Sequence, residues 1–121
     1  MLLDTNILIE HLDAVPSVVS ALAAYKESGE EFVISAISVT EVLSHEKLSA
    51  GDIMTIKEYL KTYSVILVDV RIAEMAAEFR RTYKLLTPDA IIVATAYVNG
   101  MRLATHDKKM QSVEKVTFVD L

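Results

Sequence analysis

The sequence predicts an α/β fold with a mainly parallel sheet, on three observations. Short apolar, β-prone runs recur along the 121 residues, and longer segments with helical spacing separate them. A hydrophobic fraction of 52% supplies one compact domain spanning residues 1–121, and the length leaves no room for a second.

Leu2 and Leu3 form the first strand, and Ile7, Leu8 and Ile9 begin the helix that follows. Residues 15–28 read as the next helix: Pro16 sits near its first turn, Val18, Val19, Leu22, Ala23 and Tyr25 are its apolar set, and Gly29 ends it. The second strand is residues 32–34. Residues 38–48 and 52–63 are two further helices, the latter with Ile53, Ile56, Leu60 and Tyr63 on one stripe. After a third strand at 65–68 come helices at 70–84 and 88–99, the last apolar nearly all round and so expected to be buried. Strands at 102–104 and 116–119 bring the count to five.

Composition removes several functions. Without cysteine there is no thiolate nucleophile, cysteine zinc site or redox pair, and a reducing compartment, by default the cytoplasm, is expected. Gly29, Gly51 and Gly100 stand alone, so neither a GxGxxG turn nor a phosphate-wrapping P-loop exists. The N-terminus carries no basic leader, and the longest nearly apolar stretch, 90–98, is about half the roughly 20 residues of a bilayer helix, so no membrane association is expected. Seventeen acids against twelve bases give a charge of −5, which argues against non-specific nucleic-acid binding through an overall basic surface. It does not argue against a nuclease, because the carboxylates of a divalent-metal site lower the net charge themselves.

Four acids stand where local structure alone accounts for each. Asp4 suits a helix N-cap; Ser38-Val39-Thr40-Glu41 fits a capping box; Asp89 is a first-turn acid behind Thr87 as cap and Pro88; Asp107 suits an Asx turn. Each of these readings also places its acid just after a strand or at the start of the next helix. In an open parallel sheet such points share one edge, outside the carboxyl ends of the strands. Two carboxylates about 6 Å apart repel by roughly 3 kcal/mol at an effective dielectric near 20, so four together call for protons or cations. All-oxygen ligands indicate a hard cation, Mg²⁺ or Mn²⁺. Thr5, Asn6 and Thr105 add neutral groups able to orient a carboxylate or a bound water. Asp69 also follows a strand but directly precedes a long helix, and is read as its N-cap.

Leu-Leu-Asp-Thr-Asn at 2–6, Ser-Val-Thr-Glu-Val at 38–42, Thr-Pro-Asp-Ala-Ile-Ile-Val-Ala-Thr-Ala at 87–96 and Ala-Thr-His-Asp at 104–107 together resemble a PIN-domain ribonuclease, most of all the VapC-type toxins of prokaryotic toxin–antitoxin pairs. The likeness runs through essentially the whole chain. It implies a five-stranded parallel sheet in the order 3-2-1-4-5 and cleavage of RNA phosphodiester bonds. It also implies Asp4, Glu41, Asp89 and Asp107 as the catalytic acids, Asn6 and Thr105 as polar supports, a small antitoxin that supplies an Arg or Lys to the acidic crevice, and a homodimer. The chain departs from the family at His106, where Asn or Asp is common.

Asp4, Asp89 and Asp107 are expected to contact the metal directly or through water, while Glu41 ligates metal or acts as base on the attacking water. Arg80, Arg81, Lys84, Lys108 and Lys109 are candidate phosphate contacts, equally explained as solvated surface. Tyr83 is read as packing against Phe79 rather than stacking on a base, and Met54, Met75, Met101 and Met110 as core or interface filler. His11, His45 and His106 lack metal-ligand spacing and receive no role. The competing functions are an RNA-processing nuclease without antitoxin and a catalytically silent RNA-binding or scaffold subunit.

Overall fold

A computed structural model describes residues 1–121. The strands are β1 (Leu2–Leu3), β2 (Val33–Ser35), β3 (Ser64–Ile66), β4 (Leu103–Ala104) and β5 (Phe118–Val119), all parallel and ordered 3-2-1-4-5. Six helices connect them: α1 (Thr5–Leu12), α2 (Pro16–Glu27), α3 (Ala36–Leu43), α4 (Ala50–Leu60), α5 (Val70–Tyr83) and α6 (Thr87–Val98). The expected fold class and strand order both hold. No single helix is long and apolar enough to cross a membrane.

Successive strand residues face opposite sides of the sheet, so two adjacent apolar residues serve two cores. Leu2 and Leu103 pack with Ile72 and Phe79 of α5 and Ile92 and Val93 of α6. Their neighbours Leu3 and Ala104 join Ile34, Ile7 and Leu8 of α1, Val18 and Leu22 of α2, and Leu60 of α4. Helix α6 buries Ala90 and every residue from Ile92 to Ala96, in keeping with its apolar circumference. Of the methionines, Met110 is fully buried while Met54 is 69% exposed and is not core.

Three helix starts differ from expectation. Helix α3 begins at Ala36, capped by Ser35, whose hydroxyl accepts from the Ile37 amide; Ser38 and Glu41 therefore form no capping box. A capping box does exist, at the start of α4, between Ser49 and Asp52. Helix α6 starts at Thr87, with Leu86 in the cap position, so Thr87 is not the cap. At the other end of α5, Lys84 adopts a left-handed conformation at φ 58° and turns the chain toward α6.

Strand β1 lies at the centre, paired with β2 on one side and β4 on the other. The chain first builds outward through β2 and β3, then crosses over to β4 and β5. The order of the sheet thus reverses beside β1, which opens a crevice at the carboxyl ends of β1 and β4. Asp4 and Thr105 are the first residues past those two ends.

Candidate active site

Asp4 leaves β1 with its amide still donating to the Ala104 carbonyl, at 3.0 Å, and caps α1 in an extended conformation. The residue is 4% exposed. Its Oδ1 accepts from the Thr5 amide at 2.8 Å and its Oδ2 from the Thr105 hydroxyl at 2.8 Å. Thr105 Oγ1 in turn accepts from the Asp107 amide at 3.0 Å, so one buried hydroxyl joins two of the four acids. The Asp107 carboxylate ties down its own loop, with Oδ1 accepting from the Lys109 and Met110 amides at 2.8 and 3.1 Å. This is the Asx turn expected from the sequence.

Glu41 is held from the other wall. Thr5 Oγ1 donates to Glu41 Oε1 at 2.7 Å, and with that proton committed, Ser38 Oγ donates to Thr5 Oγ1 at 2.9 Å. Ser38 is fully buried, and only its place in a local motif was legible beforehand. One residue in thus separates Thr5, which ties α1 to α3, from Asp4, which ties β1 to β4. Asn6, by contrast, is exposed, and the Asp4 and Glu41 carboxylates take their hydrogen bonds from Thr5 and Thr105 instead.

Asp89 stands in the first turn of α6, where Pro88 fills a position that needs no amide donor. Electrostatics link it to the others. Burial pushes the Asp89 carboxyl above its ordinary value, and the charges of Asp107 and Glu41 push it the same way against the pull of Lys109. Burial likewise raises Asp4, to about 6; the Thr105 and Thr5 hydrogen bonds oppose the rise, and the charges of Asp89 and Asp107 add to it. Asp89 is thus the acid that the charges of Asp107 and Glu41 both reach, and its own charge reaches Asp4.

Hard oxygen donors at a site short of positive charge suit a divalent cation. No three acidic or histidine side chains close into a cage that would ligate an ion alone. Such a set fits a cation that keeps much of its water shell and takes only one or two carboxylates directly, as Mg²⁺ does.

The basic residues divide. Lys109 acts on Asp89, as above. Lys108 Nζ is paired with Asp120 Oδ2 at 2.9 Å, and Arg80 Nε donates to the Leu85 carbonyl at 3.2 Å across the turn between α5 and α6. Arg81 and Lys84 are exposed. Tyr83 meets Phe79 edge-on with ring centroids 5.9 Å apart, the packing role expected.

A family model for the PIN domain matches residues 1–116. Among solved structures, a chain of a toxin–antitoxin complex from Klebsiella pneumoniae is 32% identical with a TM-score of 0.83, the alignment covering 98% of this chain and 95% of that one. A chain of FitAcB from Neisseria gonorrhoeae is 25% identical at a TM-score of 0.78, with 98% and 96% covered. A chain of VapBC2 from Rickettsia felis, solved bound to a DNA fragment from their promoter, is 18% identical at a TM-score of 0.84, with 99% and 97% covered, and bears on the fold alone. Curated proteins give no match. With the family model matched across nearly the whole length and the sheet ordered 3-2-1-4-5, the chain belongs to the PIN domain family.

Proposed function

We propose that the chain is an endoribonuclease that hydrolyses RNA phosphodiester bonds with Mg²⁺ or Mn²⁺, and that it is the toxin of a type II toxin–antitoxin pair. The observation that carries the reading is Asp4: a residue 4% exposed at the switch point of the sheet, its carboxyl raised to about 6 by burial and by Asp89 and Asp107. Such a placement opposes stability and is explained by a cation that relieves it.

Asp4, Asp89 and Asp107 would hold the metal. A divalent ion there supplies neutralising charge for the scissile phosphate and acidifies water for attack. Thr5 and Thr105 fix the carboxylates of Asp4 and Glu41, and the Lys109 and Met110 amides fix that of Asp107, so these donors are arranged before substrate arrives. Thr5 occupies Glu41 Oε1 and leaves Oε2 free, which suits Glu41 to orient water and take its proton, or to complete the ligand set. Lys109 is the basic residue best placed to meet a phosphate.

The antitoxin reading is supported by the toxin–antitoxin complexes among the structural neighbours. A crevice of four acids calls for an Arg or Lys from such a partner. A separate groove of about 700 Å³, lined by Leu22, Val19, Phe32, Tyr59 and Tyr63 where β2 and β3 begin, offers apolar surface for a further contact. A homodimer is the expected oligomer, and Leu67 and Val70, 74% and 72% exposed, are apolar surface that such a contact could cover. The cytoplasm remains the expected compartment.

The test uses the chain freed of any partner, a mixed RNA pool, and reactions with Mg²⁺, with EDTA and with the Asp4→Asn variant. Cleavage that needs metal and disappears in the variant is the expected result. Binding of RNA with no cleavage in either Mg²⁺ or Mn²⁺ would replace this reading with the silent scaffold.

A further inference from the structure

His106 lies between two residues of the site, Thr105 and Asp107, yet its ring engages two acids outside it. Nε2 is 3.2 Å from Glu10 Oε2 on α1, and Nδ1 is 2.8 Å from Asp120 Oδ1, one residue past β5. Lys108 holds the other oxygen of Asp120 at 2.9 Å. Both ring nitrogens thus face carboxylate oxygens: one donates in either tautomer and both donate in the imidazolium.

We propose that His106 is a positioning residue, a clamp that fixes the Asp107-bearing loop against α1 and the end of the sheet, and so sets where the Asp107 carboxylate stands relative to Asp4. The clamp itself follows from these contacts; its effect on cleavage rests on the nuclease reading above.

The geometry gives the clamp a specific task. Asp107 organises its own turn through the Lys109 and Met110 amides, and on the far side of Asp107 the loop is anchored by the buried Met110 side chain. On the near side of Asp107 the Thr105 amide donates to the Val119 carbonyl at 3.1 Å, and two side-chain connections from the Thr105–Asp107 segment add to it. Inside, Thr105 Oγ1 joins Asp4 to the Asp107 amide. Outside, His106 joins the same segment to Glu10 on α1, the helix that Asp4 itself caps. Asp4 and Asp107 are therefore held together from both sides of the backbone that separates their strands. A third tie, to Asp120, stops the loop from swinging about the Glu10 contact.

His106, Glu10 and Asp120 are 36%, 36% and 52% exposed. Polar contacts at such exposure contribute little to global stability. The fold therefore does not depend on them, whereas a carboxylate near a reacting group is sensitive to small displacements. A local device separable from the fold is the consequence, and it can be measured as such.

The experiment compares His106→Ala, His106→Gln, His106→Asn and Glu10→Gln with the unmodified chain. Amide hydrogen exchange at Asp107, Lys109 and Met110 is read by NMR, and kcat and KM are read on an RNA the unmodified chain cleaves. In His106→Ala, exchange at these amides rises and kcat falls about tenfold, a loss of the size seen when groups orienting a metal ligand are removed, while KM is unchanged. His106→Gln keeps a donor toward Glu10 and His106→Asn one toward Asp120, and each recovers part of the loss. Glu10→Gln reproduces part of the His106→Ala effect, and adding it to His106→Ala brings no further loss. Should His106→Ala fail to fold, Glu10→Gln and His106→Gln carry the same comparison. Unchanged exchange at the three amides overturns the clamp, as does a loss confined to KM. A chain that cuts no RNA at all defeats the nuclease reading, and the exchange data then decide the clamp alone.

Discussion

Helices α1 and α5 begin alike and do different things with their beginnings. Each follows a strand, and each is capped by an aspartate in extended backbone, Asp4 at φ −67° and ψ 153° and Asp69 at φ −90° and ψ 178°. Asp69 is exposed, and its Oδ1 accepts from the Ile72 amide at 2.9 Å, the third residue of the helix, as a cap should. Asp4 reaches only the adjacent Thr5 amide, and its second oxygen accepts from Thr105, just past the end of another strand. Asp69 supports its helix where water still solvates the charge; Asp4 is buried among like charges. Capping explains the residue type at both positions and the burial at neither. What separates them is topology: Asp4 ends the central strand at the switch point, whereas β3, which leads to Asp69, is the edge strand.

The largest effect expected from this contrast is on cleavage. Asp4→Asn keeps the size but turns one accepting oxygen into a donor and removes the charge that would hold metal, and should lower kcat on RNA about a thousandfold or more, a loss typical of electrostatic groups at a reacting centre. Asp69→Asn should leave cleavage unchanged. Equal losses in the two variants, measured side by side with Mg²⁺, would erase the distinction.

Stability should move the opposite way, and with pH. A carboxyl whose pKa rises from 3.8 to about 6 on folding binds its proton more tightly in the folded state. Folding stability due to Asp4 therefore falls as pH climbs from about 4 to about 6, and above that the full penalty, about 3 kcal/mol, persists. Asp89 contributes in the same direction. Urea unfolding of the wild type and Asp4→Asn across this range isolates the Asp4 part: without metal the variant should be the more stable at pH 7, and the gap should close toward pH 4. A gap independent of pH would mean that Asp4 is not the strained group.

That strain is also why the site was only partly legible in the sequence. The four acids could be placed because each follows a strand or opens a helix, and a parallel sheet brings such positions to one edge. The strand order came from family likeness and not from residue patterns. Ser38 was misread because Ser-x-x-Glu at 38–41 is a sound local signal. What overrules it is β2, which pairs with β1 at Val33, runs beside β3 as far as Ser35 and leaves Ser35, not Ser38, at the helix start. Asn6 was grouped with Thr5 by adjacency, yet neighbouring helical positions face different directions, and only Thr5 is buried against α3. His106 offered no spacing to read, since its partners, Glu10 and Asp120, meet it only once the sheet has formed.

Metal should act on Asp4 and pass Asp69 by. An ion that binds the folded chain stabilises it by about 1.4 kcal/mol at ten times its dissociation constant. Mg²⁺ should therefore raise the urea midpoint of the wild type at pH 7, and raise it less in Asp4→Asn. It should also raise it less at pH 5, where protons compete for the carboxylates. Asp69→Asn should respond like the wild type. A Mg²⁺ shift equal in all three proteins would place the ion somewhere other than the crevice.

The smallest expected effect belongs to Asp69 itself and completes the contrast. Its side chain satisfies one of the amides left open at the start of α5, and Asp69→Ala removes that bond without opening a cavity, because the position is exposed. Loss of such a cap destabilises by about 1 kcal/mol. The helix it starts carries Ile72, Ala76 and Phe79 into one of the two cores, so the loss should appear in the global urea transition and not as local fraying. The sign is the opposite of that for Asp4→Asn at pH 7, and RNA cleavage should be untouched. Were Asp69→Ala to stabilise the chain or to slow cleavage, the two aspartates would be variations on one role, and topology would no longer account for their difference.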